Sequence, residues 1–150
     1  MTVRFWENGN LARLDRDQWE AICDGCGKCC LVKLEDEETG EVFYTDLRCR
    51  HLDEGNCRCT VYETRRQTVP ACIELAPDRL EELWLMPPSC AYRRIAEGRG
   101  LPAWHHLVCG DRNRVLDEGR SVRGRSISED CVAEDGFEDR LTDWPVLETD

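Results

Sequence analysis

The chain has 150 residues, eleven of them cysteine, and a formal net charge of −11. That length suits one domain, spanning 1–150, with a real core. The acid excess keeps the chain soluble and argues against general affinity for nucleic acid or anionic lipid. No stretch is long enough to span a membrane. Residues 1–22 mix Arg4, Arg13 and Arg16 with Glu7, Asp15, Asp17 and Glu20, without the apolar run of a secretory leader. The expected compartment is the cytoplasm, a reducing cytosol where disulfides rarely persist. An odd number of cysteines also cannot pair completely within one chain. Bound metal is therefore favoured over a disulfide framework.

Residues 1–14 read as an extended lead-in carrying Phe5 and Trp6. Asp15 and Gln18 have capping-box spacing, with Asp17 and Glu20 as a second possibility, and Trp19 and Ile22 then share one face of a short helix that runs into Cys23. Leu31-Val32-Lys33-Leu34 and Glu41-Val42-Phe43-Tyr44-Thr45 read as strands, joined into a hairpin by the acidic turn 35–40. Residues 49–72 are irregular and rich in cysteine. A helix is predicted over 76–86, with Pro77 near its start, an apolar stripe of Leu80, Leu83 and Trp84, and Pro87-Pro88 as its stop. Ser89 is the expected cap of a second helix through Glu97, with Gly98 suited to its end. A helix over 111–118, a strand-like 121–127 and an amphipathic piece carrying Phe137, Leu141 and Trp144 complete the chain. The five tryptophans are expected in the core. These elements predict a small, irregular α+β domain in which metal joins loops around short helices and one β-hairpin.

The stretch Cys23-Asp24-Gly25-Cys26-Gly27-Lys28-Cys29-Cys30 packs four cysteines into eight residues. Thiolates so crowded repel one another unless a cation or a covalent bond absorbs their charge. Gly25 and Gly27 let the backbone curl and bring its N–H groups close to the sulfurs. Three cysteines at every third position, with a remote fourth, is the ferredoxin-like way of holding a cluster. Structural zinc more often takes two ligands from each of two knuckles. Cys26 and Cys29 would serve as one knuckle, but no second pair of that spacing follows. The pattern therefore tilts toward an iron–sulfur cluster over zinc. Adjacent Cys29 and Cys30 normally point apart, so Cys30 is expected to face a second metal or the other part of a cluster. Cys49, Cys57, Cys59, Cys72 and Cys90 follow, in loops or at a helix start. Eight ligands would make two four-coordinate sites. The radical-SAM and c-type haem spacings are absent.

On these residues the chain resembles the bacterial cysteine-cluster proteins of CxxCxxCC type, described as zinc- or iron-chelating. The match starts with the run from Cys23 to Cys30. It continues with Cys49, Cys59-Thr60-Val61-Tyr62-Glu63, Cys72 and Cys90-Ala91-Tyr92-Arg93. Leu101-Pro102-Ala103-Trp104-His105 and Ser121-Val122-Arg123 extend it over nearly the whole chain, toward one subgroup of small proteins. The resemblance implies chelation of zinc or iron and no established reaction. Carried over by position, it makes Cys23, Cys26, Cys29, Cys30, Cys49, Cys59, Cys72 and Cys90 metal ligands. Cys57 matches the C-x-C pair of the subgroup and is a ninth candidate. Cys109 and Cys131 fit no part of the pattern.

His51 lies two residues after Cys49 and can replace a sulfur, though a solvated loop histidine is the simpler expectation. His105 and His106 have no carboxylate at motif spacing, so packing or support of a ligand outweighs catalysis. The leading function is thus a cytosolic metal-binding protein, non-catalytic or electron-transferring. One rival is an iron–sulfur-dependent redox or transfer enzyme with His105 near its cluster. Another is a zinc-stabilised interaction module presenting Trp84, Trp104 or Trp144 to a partner protein.

Overall fold

Asp15 begins the first regular helix. Its carboxylate accepts the Gln18 N–H at 2.8 Å, and the Gln18 side chain accepts the Asp15 N–H at 3.1 Å. This closes the predicted capping box on α1 (Arg16–Ile22). The reciprocal bonds satisfy two amides that a helix start leaves over. Trp19 and Ile22 face inward from α1 and are buried. The computed structural model describes residues 5–8, 10–70, 72–73 and 75–148.

The predicted hairpin is present as β1 (Leu31–Glu35) and β2 (Val42–Arg48), paired antiparallel. Asp36 Oδ1 accepts the N–H groups of Glu38 and Thr39, so the acidic turn holds itself. A second, two-stranded ribbon forms from β3 (Leu52–Asp53) and β4 (Arg58–Cys59). A short helix, α2 (Arg65–Thr68), follows. Next come α3 (Ala91–Ala96), α4 (His106–Cys109) and α5 (Arg114–Asp117). The strand β5 (Ile127–Ser128) adds to β2 in parallel and completes a three-stranded sheet. The last helix is α6 (Trp144–Leu147). Short helices around a small mixed sheet make an α+β fold.

Two apolar clusters hold it. In the first, Trp6, Leu11, Trp19, Ile22, Tyr92 and Ile95 are buried together. The Trp19 and Tyr92 rings lie 4.4 Å apart, and the Tyr92 hydroxyl donates to the Trp19 carbonyl at 2.7 Å. These contacts fasten α1 to α3. In the second cluster Leu31, Tyr44, Leu52, Cys57 and Val122 meet. Gly27 makes this approach possible. Its φ is +79°, and a Cβ there would sit 2.9 Å from Val122 Cγ2.

Several expected elements are different. Residues 5–8 and 11–13 coil into 3-10 turns instead of extending, because turns bring Trp6 and Leu11 into the first cluster. The helix over 76–86 is absent. Ala76 bridges to Arg79 in a tight turn, and only Leu83–Leu85 coils, as a 3-10 turn. An isolated helix of that length is marginal, and turns already place Leu75, Leu80 and Leu83 on the first cluster. Trp84 is left 63% exposed, so it is not a core residue. Cys90, not Ser89, takes the cap position of α3. The Ser89 hydroxyl accepts from the Lys28 ammonium instead, a stronger charge-assisted bond.

The helix over 111–118 shrinks to α5 because Asp111 Oδ1 accepts the Asn113 N–H, a local turn that competes with the helix. Residues 121–125 turn, with Gly124 at φ +79°, so only Ile127–Ser128 pairs as a strand. Leu107 and Val108 belong to α4, which begins where His105 Nδ1 accepts the Leu107 N–H. The tail coils as a 3-10 helix over Glu134–Arg140, with the Arg140 guanidinium on the Asp46 carboxylate at 2.6 and 2.9 Å. Leu141 stays 46% exposed.

Candidate metal centre

Strand pairing gathers one set of cysteines. Cys30 immediately precedes β1 and Cys49 immediately follows β2. The Cys49 N–H donates to the Cys30 carbonyl at 2.8 Å, so the hairpin closes at these two residues. The Leu52 N–H then donates to the Cys49 carbonyl at 3.0 Å, and Leu52 pairs with Cys59 across the ribbon. Backbone hydrogen bonds thus link the positions of Cys30, Cys49 and Cys59. Cys72 lies within electrostatic reach of Cys29 first, and of Cys59 and Cys49 after it.

Helix ends gather the other set. Cys23 follows the last turn of α1, and Cys90 precedes the first turn of α3. The Trp19–Tyr92 contact therefore draws Cys23 and Cys90 to one side of the molecule. Between them the loop curls through Gly25 and Gly27, both at positive φ, and is pinned where the Val122 N–H donates to the Cys26 carbonyl at 2.9 Å. Cys23, Cys26 and Cys90 each lie close enough to Cys29 to sense its charge. Cys29 also hydrogen-bonds to its neighbour Cys30, which belongs to the strand-held set. The two adjacent cysteines are the seam between the sets.

Partial burial pushes the thiols of Cys26, Cys49 and Cys72 upward, and that of Cys90 up to about 12, while Cys23 and Cys29 are exposed. The bond from Cys30 stabilises the Cys29 thiolate and lowers its value, while Cys30, as donor, is raised. Most of these groups are neutral thiols at pH 7. A metal must displace their protons, so its affinity rises with pH.

Three further charged residues meet the loop, and none stood out in the sequence. Lys28 is 1% exposed, yet its Nζ is satisfied by Ser89 Oγ at 2.7 Å and Glu148 Oε2 at 3.1 Å. It ties the loop to the residue before Cys90 and to the end of the chain. Lys33 Nζ donates to the carbonyls of Cys29 and Leu31, and its charge reaches Cys29, Cys30 and Cys72. Asp24 is buried, with one oxygen accepting the Cys26 N–H at 3.0 Å and the other, Oδ2, unpartnered. Asp24 and Lys28 sit inside the cysteine motif, so their place was legible and their burial was not. Glu148 carried no signal at all.

Among the described residues, no three Cys, His, Asp or Glu side chains converge tightly enough to enclose an ion as they stand. The donor chemistry nevertheless fits zinc or iron: grouped thiols, an orphaned buried carboxylate oxygen and two lysines to offset thiolate charge. Side-chain rotation and proton loss would close the shell.

The remaining candidates lie apart from the two sets or turn away from them. Cys57 is 4% exposed and is buried in the second apolar cluster, with its thiol on the Glu54 carbonyl. The Cys109 thiol donates to the Trp104 carbonyl at 3.4 Å, and Cys131 is exposed. The His51 carbonyl holds the Thr60 N–H and hydroxyl. His105 Nδ1 accepts the Leu107 N–H, so its Nε2 carries the proton and donates to the Ile22 carbonyl at 2.7 Å. His106 stacks on it at 4.3 Å and reaches the Ala21 carbonyl. The pair thus satisfies two carbonyls at the end of α1, directly before Cys23. Both nitrogens of His105 are spent on structure.

Burial lowers His105 from its ordinary 6.5 to about 4. The unfolded chain therefore binds a proton between those values that the folded chain refuses. Stability is full above pH 6.5 and falls as pH drops toward 4. The expected loss from this residue is about 3 kcal/mol. Urea melts of the native chain and of His105→Gln over this range check it. Equal slopes in both proteins would remove His105 from the account.

Residues 22–91, which contain all nine candidate ligands, match the family CxxCxxCC, described as "Putative zinc- or iron-chelating domain". A UPF0260 protein of Pseudomonas aeruginosa is 55% identical over 137 residues, covering 91% of this chain and 92% of that protein. The chain belongs to the UPF0260 family. A UPF0260 protein of Azotobacter vinelandii is 54% identical over 137 residues, with 91% and 92% of the two chains covered. One from Allorhizobium ampelinum is 51% identical over 142 residues, covering 95% of this chain and 89% of the relative. No solved structure matches. No helix among the described residues of this UPF0260 chain is long and apolar enough to cross a membrane.

Proposed function

We propose that this chain is a cytosolic, non-catalytic or electron-transferring metal protein with two cysteine-ligated centres. Cys23, Cys26, Cys29 and Cys90 would hold the first. Cys30, Cys49, Cys59 and Cys72 would hold the second. Cys57 is the ninth candidate, and it would have to leave the apolar cluster to reach the second centre. The observation that carries the proposal is the division at Cys29 and Cys30. Cys23, Cys26 and Cys90 lie near Cys29 at helix ends, Cys49 and Cys59 lie near Cys30 at strand ends, and Cys72 lies within reach of both. The family match supports zinc or iron as the metal. The spacing of Cys23, Cys26 and Cys29 favours an iron–sulfur cluster over zinc. A bound cluster supplies one-electron chemistry, whereas zinc supplies only structure. The protein's own part is to hold the thiols, shield them and offset their charge with Lys28 and Lys33.

Anaerobic purification with elemental analysis and a visible spectrum tests this. The expected protein is brown, contains iron and sulfide, and bleaches on reduction. A colourless zinc protein would keep the centres and change the metal. A chain without either metal would overturn the proposal.

The ligand set has its own check. Cys131 is exposed and lies among Glu129, Asp130, Glu134 and Asp135, with no other cysteine at chelate spacing. Cys109 points its thiol at a backbone carbonyl of its own loop. The Cys109→Ser, Cys131→Ser double variant is expected to keep its full metal content. Loss of one metal equivalent would bring the last third of the chain into the centre.

A further inference from the structure

Asp24 is the residue of the loop that chelation by sulfur leaves unexplained. It is 5% exposed. Oδ1 accepts the Cys26 N–H at 3.0 Å, while Oδ2 is buried with no hydrogen-bond partner among the described residues. A buried carboxylate oxygen without a partner is strongly disfavoured. Among the described residues three other buried side-chain atoms are orphaned, at Glu82, Trp104 and His106. The indole of Trp104 is neutral, burial favours the neutral form of His106, and Glu82 is paired through its other oxygen with Arg79. Burial pushes the Asp24 carboxyl toward its neutral form as well, so its surroundings are what set it apart. Cys23, Cys26, Cys29 and Cys90 all lie within reach of its charge. The Lys28 charge reaches Asp24, but the ammonium's hydrogen bonds go to Ser89 and Glu148, so Oδ2 gains no bond from it. A carboxylate set among four thiols repels every thiolate they form. That grouping becomes favourable once a cation sits within it.

We propose that Asp24 is an oxygen ligand, placing Oδ2 on the zinc or iron held by the first cysteine set. This rests on the first of the two centres proposed above. With Asp24 the set offers five donors, one more than a tetrahedral ion takes. The oxygen either displaces one sulfur or raises the coordination number. In both cases the metal carries oxygen beside sulfur, and the site is not a closed four-sulfur one. Carboxylate is the harder donor and exchanges more readily on a borderline-soft ion.

The test uses the full reduced chain, titrated with zinc against a chromogenic chelator, and two substitutions. Asp24→Asn keeps an oxygen to accept the Cys26 N–H and replaces only Oδ2. Asp24→Ala removes both. One of the two zinc equivalents should weaken at least about tenfold in Asp24→Asn, as in Asp24→Ala, with the other unchanged. The oxygen contribution to the zinc X-ray absorption spectrum, near about 2.0–2.2 Å, should be lost in Asp24→Asn. Native affinity in Asp24→Asn with weakening only in Asp24→Ala would reduce Asp24 to a support of the loop and overturn the proposal. An all-sulfur shell in the native protein would overturn it as well, with the two centres left standing. Native protein that takes up no zinc or iron would bring down the centres and this ligand together.

Discussion

Chelation under reducing conditions is expected to abolish the cooperative thermal transition, or to lower its midpoint by more than about 15 °C. The cause lies in how little else holds the cysteine loops. The two apolar clusters are small, and they anchor helices and strands of two to seven residues. Between β4 and α3 the described chain has one four-residue helix and single turns. A domain of this size is stable by only about 5–15 kcal/mol in all. Thiolate–metal bonds formed only in the folded state contribute on that same scale. Their removal also leaves the buried Asp24 carboxyl beside several thiols without a cation. Calorimetry on protein whose metal content has been checked by elemental analysis measures the effect. An unchanged midpoint in metal-free protein would show that the clusters suffice and that metal is cargo alone.

The second large effect separates the neighbours at the seam. Cys29→Ser should remove the metal shared with Cys23, Cys26 and Cys90 and leave the other. Cys30→Ser should do the reverse, acting on the set fixed by β1, β2 and β4. Metal per chain is expected to fall by about half in each single variant and nearly to zero in the double. The spectra of the two single variants should differ, because one set lies at helix ends and the other at strand ends. Matching spectra and stoichiometry in both single variants, unchanged in the double, would count against separate centres.

Local chemistry was legible in the chain. The Asp15–Gln18 box, the apolar face of Trp19 and Ile22 and the strands around the acidic turn all follow from short-range hydrogen bonding and periodicity. So does the cysteine spacing, whereas the expected divergence of Cys29 from Cys30 is not seen, since their side chains share a hydrogen bond. The stretch over 76–86 shows where such reading stops. Its stripe is helical in spacing, yet three contacts to a distant core are reached by turns, and a short helix has no spare stability to resist. Ser89 shows the same limit. As a cap it competes for one amide, but the fold brings a buried ammonium from 61 residues away, and the charged donor prevails.

By itself, then, the sequence determined the α+β class, the first helix, the hairpin and the cysteine spacing. The tertiary structure alone decided which cysteines come near one another. Cys90 joins Cys23 because Trp19 stacks on Tyr92, and Cys59 joins Cys30 because two ribbons share hydrogen bonds through Cys49 and Leu52. It also decided that Asp24 and Lys28 are buried and that His105 serves a helix end. The physical reason is the range of the forces. Propensity and spacing act within a turn or two of the chain. Burial and the fields of buried charges depend on residues that only folding makes neighbours.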